Sequence, residues 1–167
     1  VLDQIVTIAD VEAVDAVIIA GDLYDRAIPP ADAVSLMGET LRRLCQDLKK
    51  PVLVIAGNHD SGERLGFAAE LLGSSGLHIV GQLAQWIDPI TVEANGESID
   101  LFGLPYAGPL TVGDALGVEV SSHEQAMRAL LERVQSKRTA GRPTVLVAHC
   151  FVAGTQESDS ERPLSVG

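Results

Sequence analysis

Asp22, Asp25, Asn58, His59 and His149 are the side chains whose types and spacing fit metal-assisted attack on a phosphoester. Each follows a short apolar run. Ala16 to Ala20 leads into Gly21-Asp22-Leu23-Tyr24-Asp25-Arg26, Val52 to Ala56 into Gly57-Asn58-His59-Asp60, and Thr144 to Ala148 into His149. Such runs read as strands, and in open α/β sheets the ligand crevice lies beyond the strands' carboxyl ends. Oxygen and imidazole donors gathered on that rim suit Mn²⁺, Fe²⁺ or Zn²⁺ better than Ca²⁺. A carboxylate can bridge two cations about 4 Å apart, which activate water and stabilise a leaving oxygen. Taken singly, each residue has a plainer reading. Asp22 could cap a turn, Asn58 after Gly57 could supply one, and a lone His149 could be satisfied structurally. Their shared rim favours the chemical reading.

The elements that must position them follow from periodicity. Leu2, Ile5, Ile8 and Ala9 recur at helical spacing, so Val1 to about Val14 predicts a helix feeding the first strand, Ala16 to Ala20. That strand is apolar throughout, as expected of one buried on both faces of a parallel sheet. A loop runs from Leu23 to Pro30, and a helix over Ala31 to Leu48 carries Val34, Met37, Leu41, Leu44 and Leu48 on one stripe, with Cys45 beside it as a core residue. After the strand Val52 to Ala56, a short helix is expected from Glu63 to Leu72, stopping at Gly73, and a strand over Gly76 to Gly81. Asn95-Gly96 between alternating runs is a strong hairpin signal. Pro105 to Val120 reads as loop. Ser121 with Glu124 opens a helix to about Lys137, and the segment 154–167 reads as loop or disorder. The chain shows no internal repeat and no boundary between two domains.

Composition narrows the function. The 167 residues carry a formal charge of -11, which argues against nucleic-acid binding through a broad basic surface but allows a site where cations neutralise phosphate. Two cysteines, Cys45 and Cys150, make no disulfide framework and suit a cytoplasmic protein. No apolar run approaches the roughly 18 residues of a membrane span.

GDLYDR and GNHD resemble the second and third motifs of the calcineurin-like metallophosphoesterases, and Val147-Ala148-His149 resembles the next one. More finely, GDLYDRAIPP, PVLVIAGNHDSGERL and GLHIVG resemble the SbcD-like nucleases of double-strand-break repair, over most of the chain to about Phe151. The resemblance implies an α/β fold, a four-layer α/β/β/α sandwich of two mixed sheets, here incomplete at both ends, with residues 1–167 a partial nuclease domain. It implies a DNA exonuclease and endonuclease subunit with two divalent metal ions, Mn²⁺ foremost and Mg²⁺, Fe²⁺ or Zn²⁺ as alternatives. An SbcC-like ATPase partner, DNA as substrate and a homodimer belong to the same picture. Asp22 would bridge the metals, while Asn58 and His149 would bind the second. His59 would stand over the scissile phosphate, and the Asp25 side chain would orient it. That last role agrees with a general rule: a carboxylate on one imidazole nitrogen fixes the tautomer at the other. Arg26 fits a phosphate contact or a solvated loop position equally.

The family's opening Asp-x-His and closing Gly-His-x-His motifs are absent from these residues, so this stretch alone is expected to be inactive or very weak. Two other readings remain: a phosphomonoesterase or cyclic-nucleotide phosphodiesterase of the same superfamily, and a non-catalytic scaffold. His78 reads as structural and His123 as a surface residue. Cys150 points away from His149, and Trp86 and Tyr106 read as isolated aromatics rather than a base-stacking platform.

Overall fold

A computed structural model describes residues 1–85 and 88–152. The expectations for Trp86 and for the segment 154–167 lie outside the described residues. The elements run α1 (Leu2–Val11), β1 (Val17–Ala20), α2 (Ala31–Arg42), β2 (Val52–Ile55), α3 (Gly62–Leu65), α4 (Ala69–Gly73), β3 (Leu77–Val80), β4 (Ile90–Ala94), β5 (Glu97–Leu104), α5 (Pro109–Leu116), α6 (His123–Lys137) and β6 (Thr144–Ala148).

The described residues form an α/β structure with two small sheets. The first has the order β1-β2-β3 and is parallel throughout, not mixed as expected, with Val17 opposite Val52 and Val52 opposite Leu77. The second, β4-β5-β6, is mixed: β4 and β5 are antiparallel, β5 and β6 parallel. The predicted hairpin is present. Asn95 (φ 51°) and Gly96 (φ 81°) both take left-handed geometry, as a two-residue turn matched to strand twist requires.

Full burial of an apolar strand is realised at β2, where no residue exceeds 1% exposure. It fails at β1, where Ile18 is 41% exposed. Among the described residues β1 pairs with β2 alone.

Alternation along β2 divides the core in two. Val52 and Val54 join Leu77 of β3, Val6 and Ala9 of α1, and Leu44. Leu53 and Ile55 join Val80 of β3 and turn to the second sheet, in a cluster that continues through Phe102 and Leu104 to Val112 of α5 and Leu130 of α6. Each such aliphatic side chain contributes roughly 1.5–3 kcal/mol on full burial. Gly103 lets the sheets close, since a Cβ there would lie 2.7 Å from Ile55 Cγ2.

Several helix readings need correction. α2 stops at Arg42 and a π turn, Arg43–Asp47, follows. The wider turn places the adjacent Leu44 and Cys45 both inside, whereas Val34 of the predicted stripe is 46% exposed. Burial raises the Cys45 thiol pKa, in keeping with a core residue. The helix expected over 63–72 is split into α3 and α4, with Ala68 left-handed at φ 59° before α4. Pro105 to Val120 is not all loop: it contains α5. Pro109 at its first turn and left-handed Gly117 at its end are the punctuation of a helix. The α6 cap lies one residue later than predicted, at Ser122, whose side chain accepts from the Gln125 amide.

Midway along β5, Asp100 is fully buried, and its Oδ1 accepts from Thr91 Oγ1 and an Arg142 guanidinium nitrogen, both at 2.9 Å. Burial alone would raise this carboxyl, but the bonds from Arg142 and Thr91 outweigh it and hold the pKa below the usual range. A carboxyl lowered on folding stabilises fully above its unfolded pKa, near 3.9, and loses that contribution as pH falls through the folded value. Asp100→Asn is expected to flatten this acid limb: urea midpoints at pH 7 and pH 3 should differ less in the variant than in the unsubstituted protein.

Candidate metal centre

Parallel pairing of β1 with β2 puts Gly21-Asp22 and Gly57-Asn58-His59 on one rim, as expected. The third contributor crosses from the other sheet. His149 follows β6, and its Nδ1 meets the Ala20 carbonyl at 2.9 Å. Tyr106 N donates to the Ala56 carbonyl at 2.8 Å and ties the end of β5 to the end of β2. Both bonds join the carboxyl rims of the two sheets.

This crossing gathers three of the predicted residues. His149 Nε2 lies 3.0 Å from Asn58 Oδ1 and 3.6 Å from Asp22 Oδ2. The Ala20 carbonyl only accepts, so Nδ1 donates to it, and Nε2 faces two further acceptor oxygens. Either a proton on Nε2 or a cation among the three atoms stabilises that arrangement. The donors fit part of a divalent-cation site of mixed nitrogen and oxygen character. Among the described residues no cluster of three or more His, Cys, Asp or Glu could hold a metal; here the third donor is an amide.

Two glycines make the approach possible. A Cβ on Gly57 would run into the Asp22 carboxylate and main-chain nitrogen, and one on Gly21 into the His149 ring. Asp22 itself is left-handed at φ 48°, a geometry Asp tolerates better than most residues. Its Oδ1 accepts from the His59 amide at 3.0 Å.

His59 and Asp25 meet, though not as predicted. His59 Nδ1 lies 3.2 Å from the Asp25 main-chain carbonyl, while the Asp25 carboxylate is 84% exposed and pairs with Arg26 at 3.5 Å. The turn after Asp22 brings the carbonyl inward and leaves the side chain in solvent. A carbonyl fixes the tautomer as a carboxylate would.

Two features were missed in the sequence. Asp60 accepts from the amides of Leu23 and Gly57 through Oδ2 and of Tyr24 through Oδ1; its place in GNHD was the available signal. Tyr106, read as isolated, has ring contacts to His123, His149 and Phe151 at centroid separations of 5.9–6.4 Å. These rings line an open cavity of about 650 Å³ beside His149. No spacing rule joins them, because the rings come from separate segments. His78 is half-buried, and burial lowers its pKa, in keeping with a structural role. His123 and Cys150 are exposed.

Gly57→Ala should displace the Asp22 carboxylate and weaken any divalent-cation binding at this rim on the order of tenfold, the scale seen when a ligand's support is disturbed. Mn²⁺ titration followed by electron paramagnetic resonance measures it.

Comparison with known proteins agrees with this geometry. The family model described as calcineurin-like phosphoesterase matches residues 1–165. The chain is 36% identical over 160 residues to the SbcD subunit of the SbcCD nuclease of Staphylococcus epidermidis, covering 93% of this chain and 41% of that protein. Its likeness to the protein of the same name in Bacillus subtilis is 33% over 173 residues, covering 100% of this chain and 44% of that one. The chain thus spans less than half the length of these relatives. With GDLYDR, GNHD and the strand-end His149 on one rim, the chain belongs to the calcineurin-like phosphoesterase family.

Proposed function

We propose that the chain is part of an SbcD-like DNA nuclease subunit that hydrolyses phosphodiester bonds with two divalent cations, Mn²⁺ foremost. The observation that carries this reading is the convergence of Asp22 Oδ2, Asn58 Oδ1 and His149 Nε2 beside His59. In the same reading residues 1–167 form part of a nuclease domain with a four-layer α/β/β/α architecture. It acts in the cytoplasm on DNA ends beside an SbcC-like ATPase. Among the described residues no helix is long and apolar enough to cross a membrane.

Bound cations supply an activated water and neutralise charge on the phosphate. Asp22, Asn58 and His149 would hold the cations, and Asn58 would also meet a phosphate oxygen. His59 stands over the scissile phosphate. With Nδ1 donating to the Asp25 carbonyl, Nε2 of the charged ring is free to give its proton to the leaving oxygen as the P–O bond breaks. Asp25 thus orients His59 through its carbonyl. The net charge of -11 leaves little general affinity for a polyanion, so phosphate recognition falls to the cations and the partner.

Pairing with a second copy is part of the proposal. Ile28 (66% exposed), Val34 (46%) and Phe67 (81%) rim one apolar groove with Leu23 and Leu65, and such patches mark association surfaces. Phe67→Glu is expected to shift a dimer to monomer by light scattering.

The decisive assay follows Mn²⁺-dependent release of nucleotides from linear duplex DNA by the full-length protein, alongside hydrolysis of a phosphomonoester. His59→Ala should lower kcat on DNA by about 10²–10⁴-fold and leave Mn²⁺ bound. Monoester turnover without DNA degradation would mean a phosphatase, and silence on both with no metal bound would mean a scaffold.

A further inference from the structure

Both Asp60 carboxylate oxygens are engaged by main-chain amides, and the carboxylate joins the loops that carry Asp22 and Asn58. Oδ2 accepts from Gly57 N at 2.9 Å and Leu23 N at 3.0 Å, and Oδ1 accepts from Tyr24 N at 3.0 Å. Three main-chain donors from two separate loops thus converge on one carboxylate, and hydrogen bonds to an ionised acceptor are about twice as strong as neutral ones. Each bonded amide adjoins a residue of the site. Leu23 follows Asp22, Tyr24 precedes Asp25, and Gly57 precedes Asn58.

Fixing the Leu23 amide fixes the peptide that leaves Asp22, whose Oδ1 accepts from the His59 amide at 3.0 Å. Fixing the Tyr24 amide orients the turn that aims the Asp25 carbonyl at His59 Nδ1, 3.2 Å away. Fixing Gly57 sets the peptide leading into Asn58. We propose that Asp60 is the positioning residue that holds Asp22, Asn58 and His59 at their mutual places, without touching metal or substrate. Its bearing on turnover rests on the nuclease reading; its bearing on the loops does not. An amide in its place offers one acceptor oxygen, and its NH₂ group would face main-chain N–H donors, leaving some unpaired.

The test compares Asp60→Asn with the unsubstituted full-length protein by amide hydrogen exchange and by Mn²⁺ titration. Exchange at Leu23, Tyr24, Gly57 and His59 should accelerate on the order of tenfold or more, with Val54 and Leu104 unchanged. Mn²⁺ binding should weaken about 10–100-fold. Uniform acceleration that includes Val54 would reduce Asp60 to a general stability element and overturn the proposal. So would selective acceleration with unchanged Mn²⁺ affinity. Should Asp60→Asn not fold, the unsubstituted protein still decides: Leu23 and Tyr24 amides no better protected than those of Ala27 and Ile28 would overturn it. An unsubstituted protein that binds no Mn²⁺ would sink the metal reading alone, and the exchange pattern would then rule on Asp60 by itself.

Discussion

The contact between His149 Nδ1 and the Ala20 carbonyl, 2.9 Å across the gap between two sheets, is the interaction on which the site depends. Neither sheet alone holds enough donors. The first carries Asp22 and Asn58 at the ends of β1 and β2; the second carries His149 at the end of β6. The bond joins these rims and also fixes the ring, turning Nε2 toward Asn58 Oδ1 and Asp22 Oδ2. Sheet packing makes the crossing possible, since Gly103 admits Ile55 where a side chain would hold the layers apart.

The rim is costly to build. Asp22 is held left-handed at φ 48°, a strain of order 1–3 kcal/mol for a residue other than glycine. Gly57 and Gly21 must lack side chains so that Asp22 and His149 can approach. Carboxylate, amide oxygen and imidazole Nε2 then confront one another in a chain already strongly acidic. Such an arrangement persists where surrounding bonds over-determine it, and the main-chain donors on the Asp22 and Asp60 carboxylates supply such bonds. Strain and electron-rich atoms gathered on one rim are features that a bound cation would stabilise.

Midway along β5, away from the rim, a different solution operates. Asp100 is buried, but Arg142 and Thr91 meet it directly, so its charge is compensated within the protein. Asp22 and His149 keep side-chain exposures of 35% and 23%. One carboxylate is closed off by its partners and serves the sheet; the other stays open to solvent and remains available to a ligand.

Much of this was legible in the residues. The apolar runs before Gly21, Gly57 and His149 marked three strands, Asn95-Gly96 marked the hairpin, and GDLYDR with GNHD marked the family and the rim. These signals are local, carried by period-2 burial, turn geometry and contiguous motifs. Others misled because their meaning depended on neighbours. Pro109 and Gly117 bracket a helix instead of a loop, since a helix and a loop share the same punctuation. β1 looked like a strand buried on both faces, yet among the described residues it pairs with β2 alone and leaves Ile18 exposed, because pairing is not written in one strand. The Asp25 side chain, expected on His59, points to solvent while its carbonyl makes the contact, a choice made by the turn after Asp22. The identity of the donors was therefore determined by sequence alone. Which atoms face one another was decided by tertiary structure, because only the packing of two sheets brings Ala20, Asn58 and His149 within hydrogen-bond reach.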